Sequence, residues 1–472
     1  MKDGHELGSP ADLGLMQASR MLSSGAVSAL DLTEAALARI EATDASLKSY
    51  MIVAGERALS KARALDAERA AGQVRGPLHG VPVAVKDLCR TEWAPTSAGM
   101  SIHKDYMAEA DATVCVRLEQ AGAIILGKLA MTEGAFAHHH PLLQTPVNPW
   151  GERTWTGASS SGSGSSVAAG QCFASLGSDT GGSIRFPSAA CGVTGLKPTW
   201  GRVSRAGVFA LADSLDHVGP MARAAEDCAA MMTALAGADP RDPTTLDAPT
   251  PDYLAGLSTP VSGLRIGFDE ALVMGAVSPA TAAALTDALE AFRALGARIV
   301  PVTLPDDAGM FDDWNAICAA ECAVAHAETW PAKKAHYGPI GALIEAGHAV
   351  TGLELARAMQ NRLIYVGALN RSLMDVDMVL MPVLTGDTPT IPDFMAMVEG
   401  GIEALLKFTA PADMAGLPAL TFPAGFDAKG APIGLQLMGP ALSEPALLSA
   451  GHAFQTVTGW HTRRPDLSPF TA

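Results

Sequence analysis

The sequence predicts an α/β fold. Two segments far apart in the chain follow one design: DATVCVRLEQAGAIILGK (residues 111–128) and ATAAALTDALEAFRALGARIVPVTLP (residues 280–305) each run from helix through a glycine stop into an apolar strand. A third observation is HGVPVAVKD (79–87), a valine-rich run with Gly and Pro at its start, which reads as a buried strand ending at Lys86. At 472 residues the chain exceeds the size at which one core usually stops growing, so composition allows two or three domains or one unusually large α/β unit.

In chain order, Asp12 to about Ala71 reads as helical: Ala29, Leu32, Ala36, Leu37 and Ile40 recur at helical spacing, with Ser28 and Asp31 as caps. The strand at 79–87 and the first helix-to-strand unit follow. TGASSSGSGSSVAAG (156–170) has the composition of a flexible linker, with a helix start at Ser165 to Gly170. Residues 237–263 are rich in Pro, Asp and Thr and form the best internal boundary or surface excursion. Residues 305–410 read as mainly helical and Met-rich (Met359, Met374, Met378, Met381, Met395, Met397), with most of these side chains expected in the core. DMVLMPV (377–383) is strand-like, and PALTFPAGF with APIGLQLMGP closes the chain as a strand pair.

Hydrophobic residues make up 48% and charged residues 17%, a globular composition. Lys and Arg total 33 against 49 Asp and Glu, and no basic block tracks a nucleic-acid backbone, so direct nucleic-acid binding is disfavoured. The start MKDGHELGSPADL carries charges where a signal peptide needs an apolar run, and no apolar run reaches spanning length. The chain therefore reads as soluble, cytoplasmic and free of membrane contact. Seven cysteines without a CxxC read as buried thiols; Cys318 and Cys322 lack the two further ligands zinc needs.

Several apparent motifs fail on chemistry. GAIILGKL (122–129) places Leu129 where a P-loop needs Ser or Thr for magnesium. His138, His139 and His140 are adjacent on a loop and cannot easily converge on one metal ion, so they read as a polar substrate-side or solvent loop. No GxSxG elbow occurs. What remains is a serine-lysine set. Lys86, ending an apolar strand, is desolvated, which lowers its pKa toward the range of a proton acceptor. In SDTGGSIRFPS (178–188), two glycines before Ser183 free the backbone to bring N–H groups to an oxyanion, while Asp179 and Arg185 can pair to stiffen the loop.

Together VPVAVKDL, TGASSSGSGSSVAAG and LGSDTGGSIRFPSAACGVTGLKPTWGRVSRAGV resemble the amidase signature family of serine hydrolases. The resemblance runs from about residue 10 to 465 and includes LADSLDHVGPMAR and AGLPALTFPAGFDAKGAPIGLQLMGP. It implies one large domain, 1–472, with a central twisted mixed β-sheet covered by helices on both faces. It further implies Ser183 as nucleophile, Ser159 as bridging serine after a cis peptide, and Lys86 as base. Thr180, Gly181, Gly182 and Ser183 take the oxyanion-hole positions, Ser160 is a supporting partner, and neither cofactor nor metal is needed. Ala158 and Ser161 stand where the family usually has glycines.

The family cleaves small, fatty or aryl amides, ureas or carbamates, and one branch forms the A subunit of glutamyl-tRNA amidotransferase. The resemblance implies that specificity lies in the loop 131–147 (Met131, Thr132, Phe136), in Phe209 and in the region 305–410. Arg362 stands where the amidotransferase branch has an arginine that grips the glutamine carboxylate. The expected function is a stand-alone hydrolase of an amide or aryl carbamate, acting as monomer or homodimer. The alternatives are the glutamine-hydrolysing component of a tRNA-dependent amidotransferase and an inactive binding protein on the same scaffold.

Overall fold

The computed structural model describes residues 9–471; of the charged N-terminal stretch read above, residues 1–8 lie outside them. Eleven strands build the sheet: β1 (Tyr50–Val53), β2 (Pro82–Lys86), β3 (Ile124–Leu129), β4 (Ala174–Asp179), β5 (Thr194–Lys197), β6 (His217–Ala222), β7 (Arg265–Phe268), β8 (Arg298–Pro301), β9 (Met378–Pro382), β10 (Ala419–Phe426) and β11 (Pro432–Met438). Their order is β1-β3-β2-β4-β6-β5-β10-β11-β9-β7-β8. The sheet is mixed: β2 runs parallel to both β3 and β4, β7 lies parallel between β8 and β9, and the β10–β11 hairpin is antiparallel. Every residue of β2, β3, β4, β6, β9 and β11 is buried, so both faces of the sheet are covered.

Both helix-to-strand units form as the sequence predicts, as helices Thr113–Gln120 and Pro279–Ala294 leading into β3 and β8. Gly122 and Gly296, with φ of 86° and 90°, make the stops. Ser28 caps helix Ala29–Leu47 in a reciprocal arrangement with Asp31. Two expectations need correction. The N-terminal region is not wholly helical, because the β-favouring run Tyr50–Val53 adds β1 at the sheet edge beside β3. The region 237–263 is mostly irregular and largely exposed, anchored where Tyr253 is fully buried and Arg202 donates to its hydroxyl and to the carbonyls of Ala248 and Pro249. Of the six methionines singled out, Met378 and Met381 in β9 are buried, whereas Met359, Met374 and Met395 lie on outward helix or loop positions.

The serine-rich tract is the largest departure from its composition. Its helix runs Ser161–Ala168, four residues earlier than expected, and every residue in it is buried. Small side chains serve proximity here. A Cβ on Gly162 would lie 2.5 Å from the carbonyl oxygens of Ala130 and Ser49, and one on Gly164 would lie 2.9 Å from that of Pro187. The tract is a wedge between strands and helices.

The same device joins two helices outside the sheet. A Cβ on Gly347, in helix Ile340–Ala349, would overlap the Ala319 carbonyl oxygen in helix Met310–Ala325. Gly347→Ala is expected to force these helices apart at a cost of about 3 kcal/mol, the upper end of overpacking penalties. A denaturant titration that leaves the midpoint unchanged refutes this packing.

Candidate active site

Parallel pairing sets the site. Because β2 and β4 are adjacent and parallel, their carboxyl ends deliver Lys86, Ser178 and Asp179 to one edge of the sheet, where open α/β sheets usually place ligands. Lys86 is fully buried, and its Nζ donates to Ser159 Oγ at 2.7 Å, Ser160 Oγ at 2.8 Å and Ser178 Oγ at 2.9 Å. Burial pulls its pKa down to about 7, opposed by the negative charge of Asp179. The amine therefore exchanges between charged and neutral forms near neutrality.

The Ala158–Ser159 peptide is cis. The Ser159 carbonyl accepts from Thr132 N–H at 3.2 Å, and Ser160 N–H donates to the Ser183 carbonyl at 3.3 Å. These two bonds tie the serine loop to its neighbours. Ser183 is half-buried and faces a cavity, whereas Ser159 and Ser160 lie wholly beneath it. Among the described residues the hydrogen bonds join Lys86 to Ser159 but do not join Ser159 Oγ to Ser183 Oγ.

Asp179 organises the loop that follows. Its carboxylate accepts from Gly182 N–H at 2.6 Å, Ile184 N–H at 3.0 Å, and Arg185 Nε and Nη2 at 3.0 and 2.9 Å. Burial alone would raise the Asp179 pKa, but the charge and hydrogen bonds of Arg185 hold it well below the usual carboxylate range. Arg185 also donates to the Thr409 carbonyl at 2.8 Å and to Asp413 Oδ2 at 2.6 Å. Burial and the Asp179 charge push the Asp413 carboxyl upward from the ordinary carboxylate range, against the pull of Arg185. Behind this cluster, burial brings Lys197 down to about 8.

Both peptides flanking Gly181 are pinned. Trp314 Nε1 donates to the Thr180 carbonyl at 3.0 Å, and Thr409 Oγ1 donates to the Gly181 carbonyl at 2.6 Å. A trans peptide points its N–H opposite its C=O, so these bonds fix the directions of the Gly181 and Gly182 N–H groups. Gly182 N–H is already spent on Asp179, which corrects the expectation of donors at all four positions 180–183. Gly181 and Ser183 line the cavity, and their N–H groups have no acceptor among the described residues. The Thr180 hydroxyl donates to Asp216 at 2.6 Å, away from any oxyanion role.

The cavity, about 40 Å³, is walled by Phe136, Phe186, Leu211, Trp314, Phe394, Ile402, Leu405 and Leu406. Of the residues expected at the substrate pocket, Phe136 lines this cavity, and Met131, Thr132, Phe209 and Arg362 do not. Met131 and Thr132 are buried behind the wall, with Thr132 serving Ser159 instead. Phe209 flanks a separate small space with Asp216 and His217 and packs against His103 and His326. Arg362 is consumed by the Met414 carbonyl at 2.8 Å and by the Ser214 hydroxyl and carbonyl at 2.9 and 2.8 Å. The region 305–410 does supply cavity walls, but through Trp, Phe, Ile and Leu, with no methionine among them.

The three histidines diverge: His138 packs edge-on to Phe394, His139 contacts Ser161 Oγ at 2.9 Å, and His140 lies beside Glu133. The loop is thus partly buried and not a solvent loop. No His, Cys, Asp or Glu cluster among the described residues could hold a metal ion, and all seven cysteines are buried and free. No described helix is long and apolar enough to cross a membrane.

Sequence reasoning missed Ser178, Trp314, Thr409 and Asp413. Ser178 alone had a local signal, as the residue before Asp179 on a strand parallel to that of Lys86. The others reach the loop from 134 to 228 positions away, where spacing carries no signal.

This sheet, with a lysine buried under serines and a serine at a cavity mouth, belongs to a class of hydrolases that act on amide C–N bonds. The chain is a member of the Amidase family, whose family model matches residues 31–448. It is 46% identical over 459 residues to AmiD, a putative amidase of Mycobacterium tuberculosis, covering 96% of each chain. It is 38% identical over 486 residues to the A subunit of the glutamyl-tRNA(Gln) amidotransferase of Roseiflexus castenholzii, covering 96% of this chain and 98% of the relative. Among solved structures, 6-aminohexanoate cyclic dimer hydrolase superposes with a TM-score of 0.88 at 27% identity, covering 97% of this chain and 99% of that one.

The Lys86 environment also predicts how stability varies with pH. Its pKa is about 7 when folded and near the ordinary lysine value when unfolded, so between these limits the unfolded chain binds more protons and stability rises with pH. The unfolding free energy of wild type relative to Lys86→Met is expected to climb by about 1.4 kcal/mol per pH unit between about pH 7 and 10. A flat difference refutes the desolvated amine.

Proposed function

We propose that the chain hydrolyses an amide or aryl carbamate C–N bond through an acyl-enzyme on Ser183. The observation that carries this reading is the fully buried Lys86 amine, held near a pKa of about 7 and hydrogen-bonded to Ser159, below a half-buried Ser183 that faces the cavity.

Neutral Lys86 takes the proton of Ser159, Ser159 takes that of Ser183, and Ser183 Oγ attacks the carbonyl carbon. Rotation of the serine side chains as substrate binds closes the remaining link, a tightening common at catalytic hydrogen bonds. The N–H groups of Gly181 and Ser183 receive the developing oxyanion. The relay then returns a proton to the departing nitrogen, and water attacks the acyl-enzyme by the same route.

The cavity wall has no charged side chain, which supports an apolar acyl portion. The amidotransferase relative supports a second reading, glutamine hydrolysis. That reading needs a partner for the substrate carboxylate, and the hydrogen bonds of Arg362 leave it committed elsewhere. Retention of Lys86, Ser159 and Ser183 together argues against an inactive binding protein.

A fluorophosphonate probe is expected to label the wild type and not Ser183→Ala, which folds normally and turns over nothing. Substantial turnover by that folded variant removes Ser183 from the chemistry, and glutaminase activity appearing only with added partner proteins favours the second reading. With a neutral amide, kcat/KM is expected to fall tenfold per unit below about pH 7, as Lys86 becomes protonated, and to level above it. Trp314→Phe keeps the ring but frees the Thr180 carbonyl. We expect kcat to drop about 10–100-fold with KM nearly unchanged, short of the ~10²–10³ lost with a whole oxyanion donor.

A further inference from the structure

We propose that Asp216 is a positioning residue of the hydrolysis: its buried carboxylate ties the turn that carries the Gly181 and Ser183 N–H groups to the Leu211 wall of the cavity. This inference rests on the Ser183 acyl-enzyme proposed above.

Strand pairing puts Asp216 in place. In the antiparallel pair of β4 with β6, His217 stands opposite Asp179, so the next position outward sets Asp216 beside Thr180. Asp216 Oδ1 accepts from the Thr180 hydroxyl at 2.6 Å. The same carboxylate accepts from Leu211 N–H at 2.9 Å and from Ala212 N–H at 3.2 Å. Thr180 and Leu211 both line the cavity at Ser183, so one side chain joins two of its walls. The Leu211 segment is a firm anchor: Ser214 N–H donates to Glu321 at 2.8 Å, and Arg362 donates to the Ser214 hydroxyl and carbonyl.

Thr180 leads into two successive glycines, whose backbone has more freedom than any other pair of residues. Release of its side chain would let the Gly181 peptide turn about its remaining bonds to Trp314 and Thr409. An N–H group aimed off the developing oxyanion weakens binding of the transition state and leaves the ground state nearly untouched, so the loss falls on kcat.

The carboxylate also acts on Lys86. Asp216 and Ser178, whose hydroxyl accepts from Lys86 Nζ at 2.9 Å, border one space of about 10 Å³. Burial raises the Asp216 pKa to about 6, against the hydrogen bonds of Thr180, Ala212 and Leu211, so the group is charged at pH 7 and above. Burial lowers the Lys86 pKa, and the charges of Asp179 and then Asp216 oppose that lowering. On its own segment Asp216 has Arg205 and His217 as neighbours; Glu321, Cys318 and Cys322 approach on helix Met310–Ala325, and Arg362 on helix Gly352–Ser372. Burial keeps the thiols protonated and His217 neutral at pH 7.

Asp216→Asn keeps the shape and removes the charge. On a small neutral amide we expect kcat to fall about tenfold with KM within about threefold, the scale of one charge-assisted hydrogen bond. Thr180→Val removes the other partner and should lose as much, and the double variant should lose no more than about threefold beyond either single one. The acid limb of kcat/KM separates positioning from a general loosening. Loss of the negative charge moves its midpoint below that of wild type, whereas a loosened site lets water reach Lys86 and moves it above. A midpoint that rises or stays, losses that multiply in the double variant, or an effect on KM alone overturns the assignment. Should Asp216→Asn not fold, Thr180→Val decides, and an unchanged kcat overturns it. If the fluorophosphonate probe labels wild-type Ser183 while these variants turn over as wild type, the Asp216 role falls and the Ser183 reading stands. If the probe does not label Ser183, both fall together.

Discussion

The bidentate pair of Asp179 with Arg185 is the interaction on which the rest of the site depends. The two side chains are fully buried, and each keeps the other charged against a desolvation cost that neither would meet alone. With its charge secured, Asp179 does two further things. It gathers the Gly182 and Ile184 N–H groups, which sets the turn presenting Ser183. It also acts across the strand pair on Lys86, whose pKa burial would otherwise drive lower. One carboxylate thus shapes the Ser183 loop and tempers the Lys86 amine.

The serines and glycines beside this pair are explained by crowding. Gly181 stands where a Cβ would meet the Trp314 ring at 2.8 Å, and Gly182, with a φ of 137°, where one would overlap the Phe186 ring. Ser159, Ser160 and Ser178 surround the buried Lys86 amine with hydroxyls that can either accept or donate, so it stays solvated by protein in both protonation states. A larger side chain at any of these places would displace the backbone that supplies the hydrogen bonds.

What could be read from the sequence followed from how local the physics is. The helix-glycine-strand units, the strand ending at Lys86 and the closing hairpin are set by periodicity within a dozen residues. Lys86, Ser159, Ser183, Asp179 and Arg185 were legible because their chemistry is carried by short motifs. The serine tract misled as composition, since small residues mark flexible linkers and tight packing alike; only burial separates the two. Strand β1 was hidden by helices on both sides. Trp314, Thr409 and Asp413 were invisible because they act through a fold that brings distant segments to one loop. The cavity walls were hidden for the same reason: the region 305–410 was expected to carry specificity, but only tertiary packing decides that Trp314, Phe394, Ile402, Leu405 and Leu406 are the residues turned inward.

Charge is distributed by side of the Ser183 loop. Asp179, Arg185, Asp413 and Lys197 lie among the residues behind it, whereas the cavity wall in front carries no charged side chain. A substrate entering from the cavity therefore meets backbone dipoles and aromatic faces. The ionic groups that hold those dipoles in place are already paired with one another, and they need not reorganise when charge develops on a carbonyl oxygen. That is the condition under which N–H donors are worth most: aimed beforehand and sheltered from water.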